Sequence, residues 1–312
     1  MKVYTDNPNF ADLMIPGVAW RPFESDAATG GIRQLAAAVF AERTILEAEV
    51  ATGQRWQHLL MAERSARSQY DILIEQRRQG LRIPDGVLCL CGAGSGLHGL
   101  RQRPWAAEAG NIHLSVHLAP DRLVTDSGIP FMVLAAVSVV DSIDSVSGLT
   151  ARVGIKWVND ILLENAKVGG VLAYTEGVGR SVDAAVLGIG LNVETTPNVE
   201  ATPFVPRVGS LREVSSDGNA LSQGLVFEQL LAALDRNYQS LLDGRSEELL
   251  NRYRERSIVV GRDVTVYVDD ASSSPETIAR GTVERVGDNL ELYIVGRDTP
   301  VSRGRLVLDP QT

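Results

Sequence analysis

Lys156 and Lys167 stand eleven positions apart with Asn159 and Asp160 between them, and Gly169-Gly170 follows at once. Farther on comes a closing run, Gly188-Ile189-Gly190-Leu191-Asn192-Val193. Lysines fixed on strands can converge on phosphate or carboxylate oxygens, and each charge-assisted hydrogen bond is worth roughly 1.5–3 kcal/mol. Asn159 and Asp160 could hold ribose hydroxyls, an amino group or a magnesium ion. Taken singly, each residue has a plainer reading: Lys156 as a solvated edge charge, Asp160 as the start of a hairpin. Together they describe a site for an anionic ligand.

The elements that must position these groups are short strands. Val153 to Trp157 reads as one strand, broken at Val158-Asn159-Asp160. Ile161 to Leu163 pairs back with Val168 to Tyr174 through a turn at Glu164-Asn165-Ala166, where asparagine tolerates positive φ. Ala184 to Val193 is apolar nearly throughout, as expected of a strand buried on both faces. Gly188 and Gly190 leave no side chain where a ligand or another backbone comes close.

In order and spacing, Lys156-Trp157-Val158-Asn159-Asp160, Lys167-Val168-Gly169-Gly170-Val171-Leu172 and Gly188 to Val193 resemble the catalytic domain of biotin–protein ligases. That family shows Lys-Trp-Pro-Asn-Asp, Lys-(Val/Leu)-Gly-Gly-Ile-Leu and Gly-Ile-Gly-Leu-Asn-Val, so Val158 replaces a proline. The resemblance implies an α+β fold: a mixed sheet covered by helices, then a small SH3-like β-barrel. It covers the chain from about Trp56 to Asp309. The expected division is an N-terminal extension packed on the catalytic domain (1–55), a catalytic domain (56–256) and the C-terminal barrel (257–312).

Composition is consistent with this. The chain has 312 residues, 44% of them hydrophobic, enough for a sizeable core and two domains. A net charge of −9 argues against a general nucleic-acid binder. No window reaches the ~20 apolar residues of a membrane span, and MKVYTDNPNF has no secretory character. A cytoplasmic protein is the expectation. Cys89 and Cys91, two apart on a strand, share a face poorly suited to a mutual disulfide. With His98 they make at most half a metal site, so they read as small buried residues.

Residues 1–21 read as irregular structure or an edge strand, and Gly31 to Val50 as one or two covering helices (Ile32, Leu35, Val39, Ile45, Leu46). The second segment carries Glu42, Glu47 and Glu49 among few cations, so no DNA-binding recognition helix is expected. Trp56 to Leu60 reads as a strand, and Ser68 caps the helix that follows. Val87 to Cys91 then feeds Gly92 to Trp105. In the family this is the phosphate and ligand loop, Gly-Arg-Gly-Arg-X-Gly-Arg-X-Trp. Gly94, Gly96 and Gly99 keep the glycine spacing, but Ser95, Leu97 and Leu100 occupy the arginine positions and Trp105 arrives two residues late. Arg101 and Arg103 are the cations left to substitute. Gly110-Asn111-Ile112-His113-Leu114-Ser115 matches the strand lining the ring pocket, with His113 where the family has an aromatic.

Pro130 to Ile143, the helix capped by Ser222 and ended by Gly244, and a third capped by Ser246 read as scaffold. From Ser257 the texture changes to short alternating strands, Asp263–Val268, Ile278–Arg285, Leu290–Val295 and Arg305–Leu308, with turns at Asp269-Asp270, Ser272 to Pro275 and Gly287 to Asn289.

What the resemblance implies is ATP-dependent adenylation of a small carboxylic acid, biotin, and acyl transfer to a lysine of a biotin carboxyl carrier-type domain. Lys167 is then the catalytic residue, touching carboxylate and phosphate. Ser68, Gly94, Gly96, Gly99, Gly110, Asn111, His113, Lys167, Gly169, Gly170 and Gly190 would surround the acid. Arg101, Arg103, Trp105, Lys156, Asn159, Asp160 and Asn192 would hold ATP, with Asp160 a magnesium ligand. A homodimer is compatible with the family. Two alternatives stay open: a lipoate or octanoate ligase of the same fold, whose Arg-Arg-X-X-Gly-Gly-Gly loop is absent here, and a degenerate ligase that only binds or senses a ligand.

Overall fold

The structure is a computed structural model that describes residues 1–24, 30–124, 128–179, 181–215, 221–269 and 276–309. In chain order the first elements are β1 (Lys2–Thr5), α1 (Pro8–Met14), β2 (Arg21–Pro22), α2 (Gly30–Phe40), β3 (Leu46–Glu49), β4 (His58–Ser65) and α3 (Gln69–Arg78). There follow β5 (Val87–Gly94), β6 (Ile112–Leu118), α4 (Ile129–Asp144), β7 (Val153–Lys156), β8 (Asp160–Leu163), β9 (Ala166–Val178) and β10 (Ser181–Leu191). The chain closes with α5 (Leu211–Val214), α6 (Gln223–Leu242), α7 (Ser246–Glu255), β11 (Asp263–Tyr267), β12 (Thr277–Val286), β13 (Leu292–Ile294) and β14 (Arg305–Leu308).

A mixed ten-stranded sheet runs β2-β3-β1-β4-β5-β6-β10-β9-β8-β7. Its central strands are apolar on both faces because each face has its own helices. On β4, Leu59 and Met61 join one core with α1, α4, α6 and α7, while Leu60 and Ala62 join a second with α2 and α3. On β5, Leu88 and Leu90 face the first core and Val87 and Cys89 the second. The period of two along a strand divides a continuous apolar run between the layers. The free thiols of Cys89 and Cys91 are buried, and burial pushes them up to about 12 and about 11.

The N-terminal residues are part of this sheet. β1 lies between β3 and β4, parallel to β4 with Val3 opposite Leu59. That corrects the expectation of irregular or edge structure, and Asn7 caps the short helix α1 through its side chain. The covering-helix reading holds for α2 but not beyond it: Leu46 to Glu49 is a strand, paired antiparallel with β1. Ile45 and Leu46 continued a helical spacing by chance, and tertiary pairing overrode it. Ser222 caps α6 by accepting from the Leu225 amide, as expected. Ser246 is instead the first helical residue of α7, after Arg245. Ser68 precedes α3 in extended conformation without a side-chain capping bond.

The C-terminal strands form a four-stranded sheet, β13-β12-β11-β14. Its strands fall where the alternation placed them; Asp270 and the turn from Ser272 to Pro275 lie outside the described residues. This sheet docks on the strand bearing Lys156. The Ile155 amide donates to Arg256 O, the Ile258 amide donates to Ile155 O, and Trp157 Nε1 donates to Leu290 O at 2.5 Å.

Tyr4 tests whether β1 is integral. It is 1% exposed and meets Phe23 edge-on. Tyr4→Ala is expected to lower unfolding free energy by about 3–5 kcal/mol, as for large aromatic truncations. A loss below about 1 kcal/mol on denaturant titration would make the N-terminal strand a detachable flap.

Candidate active site

Register builds the floor of the site. Opposed residues give one row across five strands: His113 of β6, Gly190 of β10, Gly170 of β9, Asp160 of β8 and Lys156 of β7. A second row places Ser115 beside Gly188 and Leu172. All of these line a cavity of about 310 Å³. Ile189, between the glycines, and Leu191, after them, belong to the hydrophobic core.

Lys167 should not share that face. It lies three residues before Gly170, and an odd separation on a regular strand points the other way. The ladder shifts between Ile161 and Leu162, pairing Ile161 with Gly169 but Leu162 with Lys167. Val168 is the extra residue of this bulge, and the bulge re-aims Lys167 into the cavity. There Nζ sits 2.5 Å from Asp160 Oδ1. Its chain lies over Gly170, where an added Cβ would be 3.7 Å from Lys167 Cε.

Lys156 is 6% exposed, and its Nζ donates to the Phe204 carbonyl at 2.5 Å. Burial pushes its pKa down from 10.5 to about 8; Asp160 opposes the shift, while Lys167, Arg305 and Arg103 add to it. Trp105 roofs the floor so closely that a Cβ on Gly190 would meet its ring at 2.6 Å. Trp105 Nε1 donates to His113 Nδ1 at 3.2 Å, so the proton of a neutral His113 rests on Nε2, near Glu108 O at 3.3 Å. Burial holds His113 neutral by pushing its pKa down to about 4. Asn192 gives Nδ2 to Gly209 O, and its buried Oδ1 has no partner among the described residues.

Of the residues singled out from sequence, Lys156, Asn159, Asp160, Lys167, Gly170, Gly190 and Asn192 therefore meet in one cavity, joined by Ser68, Gly99, Arg103, Trp105 and His113. Asn159 also has a fold role, since its Nδ2 donates to Val171 O. The others lie outside the lining. Gly94 is packed on Ser65 O, and Gly96, at φ +71°, on Ala66. Gly169 abuts Gly190 O, and Gly110 abuts Thr195. Asn111 is fully buried as a clamp, donating to Thr195 O and accepting from the Val193 and Thr195 amides. Arg101, at φ 55°, turns to the C-terminal sheet, where Nε meets Asp269 at 2.9 Å. Cavity residues not assigned to the site from sequence are His98, within the glycine loop, and, outside the motifs, Tyr70, Phe204 on the proline-rich loop and Arg305 on β14. His98 is bound to Asp71 at 2.8 Å, and no cluster of three or more His, Cys, Asp or Glu suited to a metal occurs among the described residues.

Residues 67–192 match the biotin/lipoate A/B protein ligase family. A biotin–[acetyl-CoA-carboxylase] ligase of Mycobacterium tuberculosis is 28% identical over 274 residues, covering 85% of this chain and 94% of that protein. The bifunctional ligase/repressor BirA of Bacillus subtilis is 28% identical over 160 residues, 51% of this chain and 48% of its own length, so this chain spans about half of that relative. Among solved structures, the biotin protein ligase from Aquifex aeolicus in complex with biotin and ATP superposes with a TM-score of 0.60 at 16% identity, over 82% of this chain and 100% of that one. At that identity the likeness speaks for the fold, a mixed sheet with helices.

An anion entering the cavity meets a Lys156 ammonium whose population declines as pH rises through about 8. Anion binding favours the ammonium, so affinity is complete below that pH and falls as pH rises through it. Calorimetric titration with ATP from about pH 6.5 to 9.5 should show this weakening, and Lys156→Met should abolish it. A flat profile in the unsubstituted protein would separate Lys156 from the ligand.

Proposed function

We propose that this chain is an ATP-dependent biotin–protein ligase, acting through a biotinyl adenylate. A carboxylate oxygen of biotin attacks the α-phosphorus of ATP; a C–O–P anhydride forms, the bond to the β-phosphate oxygen breaks, and pyrophosphate leaves. The amine of a carrier-domain lysine then attacks the acyl carbon. An amide forms, AMP leaves, and the amine proton passes to solvent or to AMP.

The supporting observation is the meeting of Lys156, Lys167 and Asp160 beside a wall opened by Gly170 and Gly190. Neither step requires a covalent enzyme nucleophile. What must be supplied is positioning and cationic stabilisation of charge on the pentavalent phosphorus. Lys167 exchanges its Asp160 partner for the carboxylate and α-phosphate oxygens, and the two lysines bracket the anion. Trp105, Leu172 and Gly188 give the apolar and stacking surface for the ring. Asn192 Oδ1 is an acceptor awaiting a donor.

Magnesium fits only as an ion carried in on the phosphates, because no group of three or more metal-ligating side chains occurs among the described residues, and Mg²⁺ keeps mostly substrate and water ligands. It would neutralise phosphate charge. The division into an N-terminal segment (1–55), a catalytic domain (56–256) and an SH3-like barrel (257–312) is part of the same reading. So is a carboxyl carrier-type acceptor, to which the relatives' names point.

Biotin-dependent pyrophosphate release is the direct assay. Lys167→Ala should lower its rate by about two to three orders of magnitude, the scale of one preorganised charge donor. Unsubstituted protein that releases pyrophosphate with lipoate or octanoate, and not with biotin, would move the assignment to the other branch of the family.

A further inference from the structure

Four cations surround the cavity. Lys156, Lys167 and Arg103 were expected from sequence; Arg305, from the C-terminal sheet, was not. Arg305 opens β14 opposite Tyr267 and projects over the Phe204 ring, with Cζ 3.6 Å from its centroid. Its guanidinium makes no hydrogen bond or ion pair to a described residue, and the buried Nε is without a partner. The arginines around it differ. Arg101 is held by Asp269 at 2.9 Å, and Arg103 reaches the same carboxylate at 4.0 Å. Asp160 is occupied by Lys167. The cavity lining thus sets Lys156, Lys167, Arg103 and Arg305 against the carboxylates of Asp160 and Glu200, an excess of positive charge. Burial and the repulsion of Arg103 and Lys156 act against the charge of Arg305, and the carboxylates of Asp269 and Asp160 offset this only in part.

Leaving a guanidinium partly desolvated, unpaired and beside like charges is unfavourable unless an anion completes the arrangement. The ligand loop explains why the anion contact is placed here. Where related ligases carry arginines, this loop has Ser95, Leu97 and Leu100, and Arg101 is turned away. We propose that Arg305 of the C-terminal sheet binds the phosphate chain of the nucleotide, supplying the bidentate cationic contact that the glycine loop lacks. Phe204 holds the guanidinium plane in place, and the carbonyl of the same residue holds Lys156. One residue of the proline-rich loop thus orients two phosphate-binding cations. The proposal rests on the ligase reading for the identity of the anion, while the contact itself is testable without turnover.

The test is calorimetric titration of the full chain, as wild type, Arg305→Ala and Arg305→Lys, with inorganic pyrophosphate, ATP and biotin. Arg305→Ala should weaken pyrophosphate and ATP about ten- to a hundredfold and leave biotin within about twofold. Arg305→Lys should recover part of that loss, because it restores the charge without the fork. The inference is overturned if Arg305→Ala binds pyrophosphate as wild type does. Equal weakening of biotin and pyrophosphate, unrecovered by lysine, also overturns it, because that outcome marks a packing role on Phe204. Wild-type protein that fails to bind pyrophosphate at millimolar concentration does the same. Pyrophosphate binding through Arg305 without biotin-dependent turnover would sink the ligase reading and uphold this contact.

Discussion

Everything at the site follows from the burial of one ammonium group. Lys156 is almost entirely removed from water, with a backbone carbonyl and Asp160 as its compensating neighbours. Burying an amine this way is costly, and proteins accept the cost where the charge has work to do. The arrangement has to be rigid, because a small displacement would strand the charge. The chain around Lys156 is accordingly fixed on every side. Ile155 is bonded to Arg256 and Ile258, Trp157 to Leu290, and the Val158 carbonyl accepts from the Tyr253 hydroxyl at 2.8 Å.

That anchoring explains why a small second sheet belongs to the same machine. The segment leaving α7 runs beside β7 before it enters the four-stranded sheet, so the C-terminal strands are registered to the strand that carries Lys156. Arg305 reaches the cavity by this route, and Asp269 gathers Arg101 and Arg103 from the glycine loop. The ligand loop and the C-terminal sheet are thus coupled through ion pairs. Exposed pairs of this kind are individually weak, so the coupling is suited to rearrangement when an anion competes for the arginines.

Much of this was legible in the chain. The turn expected at Glu164-Asn165-Ala166, the apolar strand β10, the helices α4 and α6 and the C-terminal alternation appear where local pattern placed them, although Ala166 already opens β9 and only Glu164 and Asn165 have positive φ. The motifs located the cavity because their residues share one cross-strand row. What pattern could not give was anything set by long-range pairing. The bulge at Val168 turns Lys167 inward, yet the sequence there reads as a plain strand. β1 is too short to be recognised apart from its partners, and Leu46 to Glu49 changed class on pairing with it. Asn111, expected beside the acid, lies outside the cavity lining and is fully buried as a clamp between strand ends, donating to Thr195 O and accepting from the Val193 and Thr195 amides. Arg305 carried no sequence signal, since its role depends on where a separate sheet docks.

The most direct measurement is a crystal structure of the full chain with biotin and ATP, or with the biotinyl adenylate formed from them. The account predicts the acyl phosphate over Gly170, with its oxygens within about 3.2 Å of Lys167 Nζ and Lys156 Nζ and Asp160 released from Lys167. An adenylate bound elsewhere, with Lys167 still closed on Asp160 and Lys156 still on the Phe204 carbonyl, would contradict it.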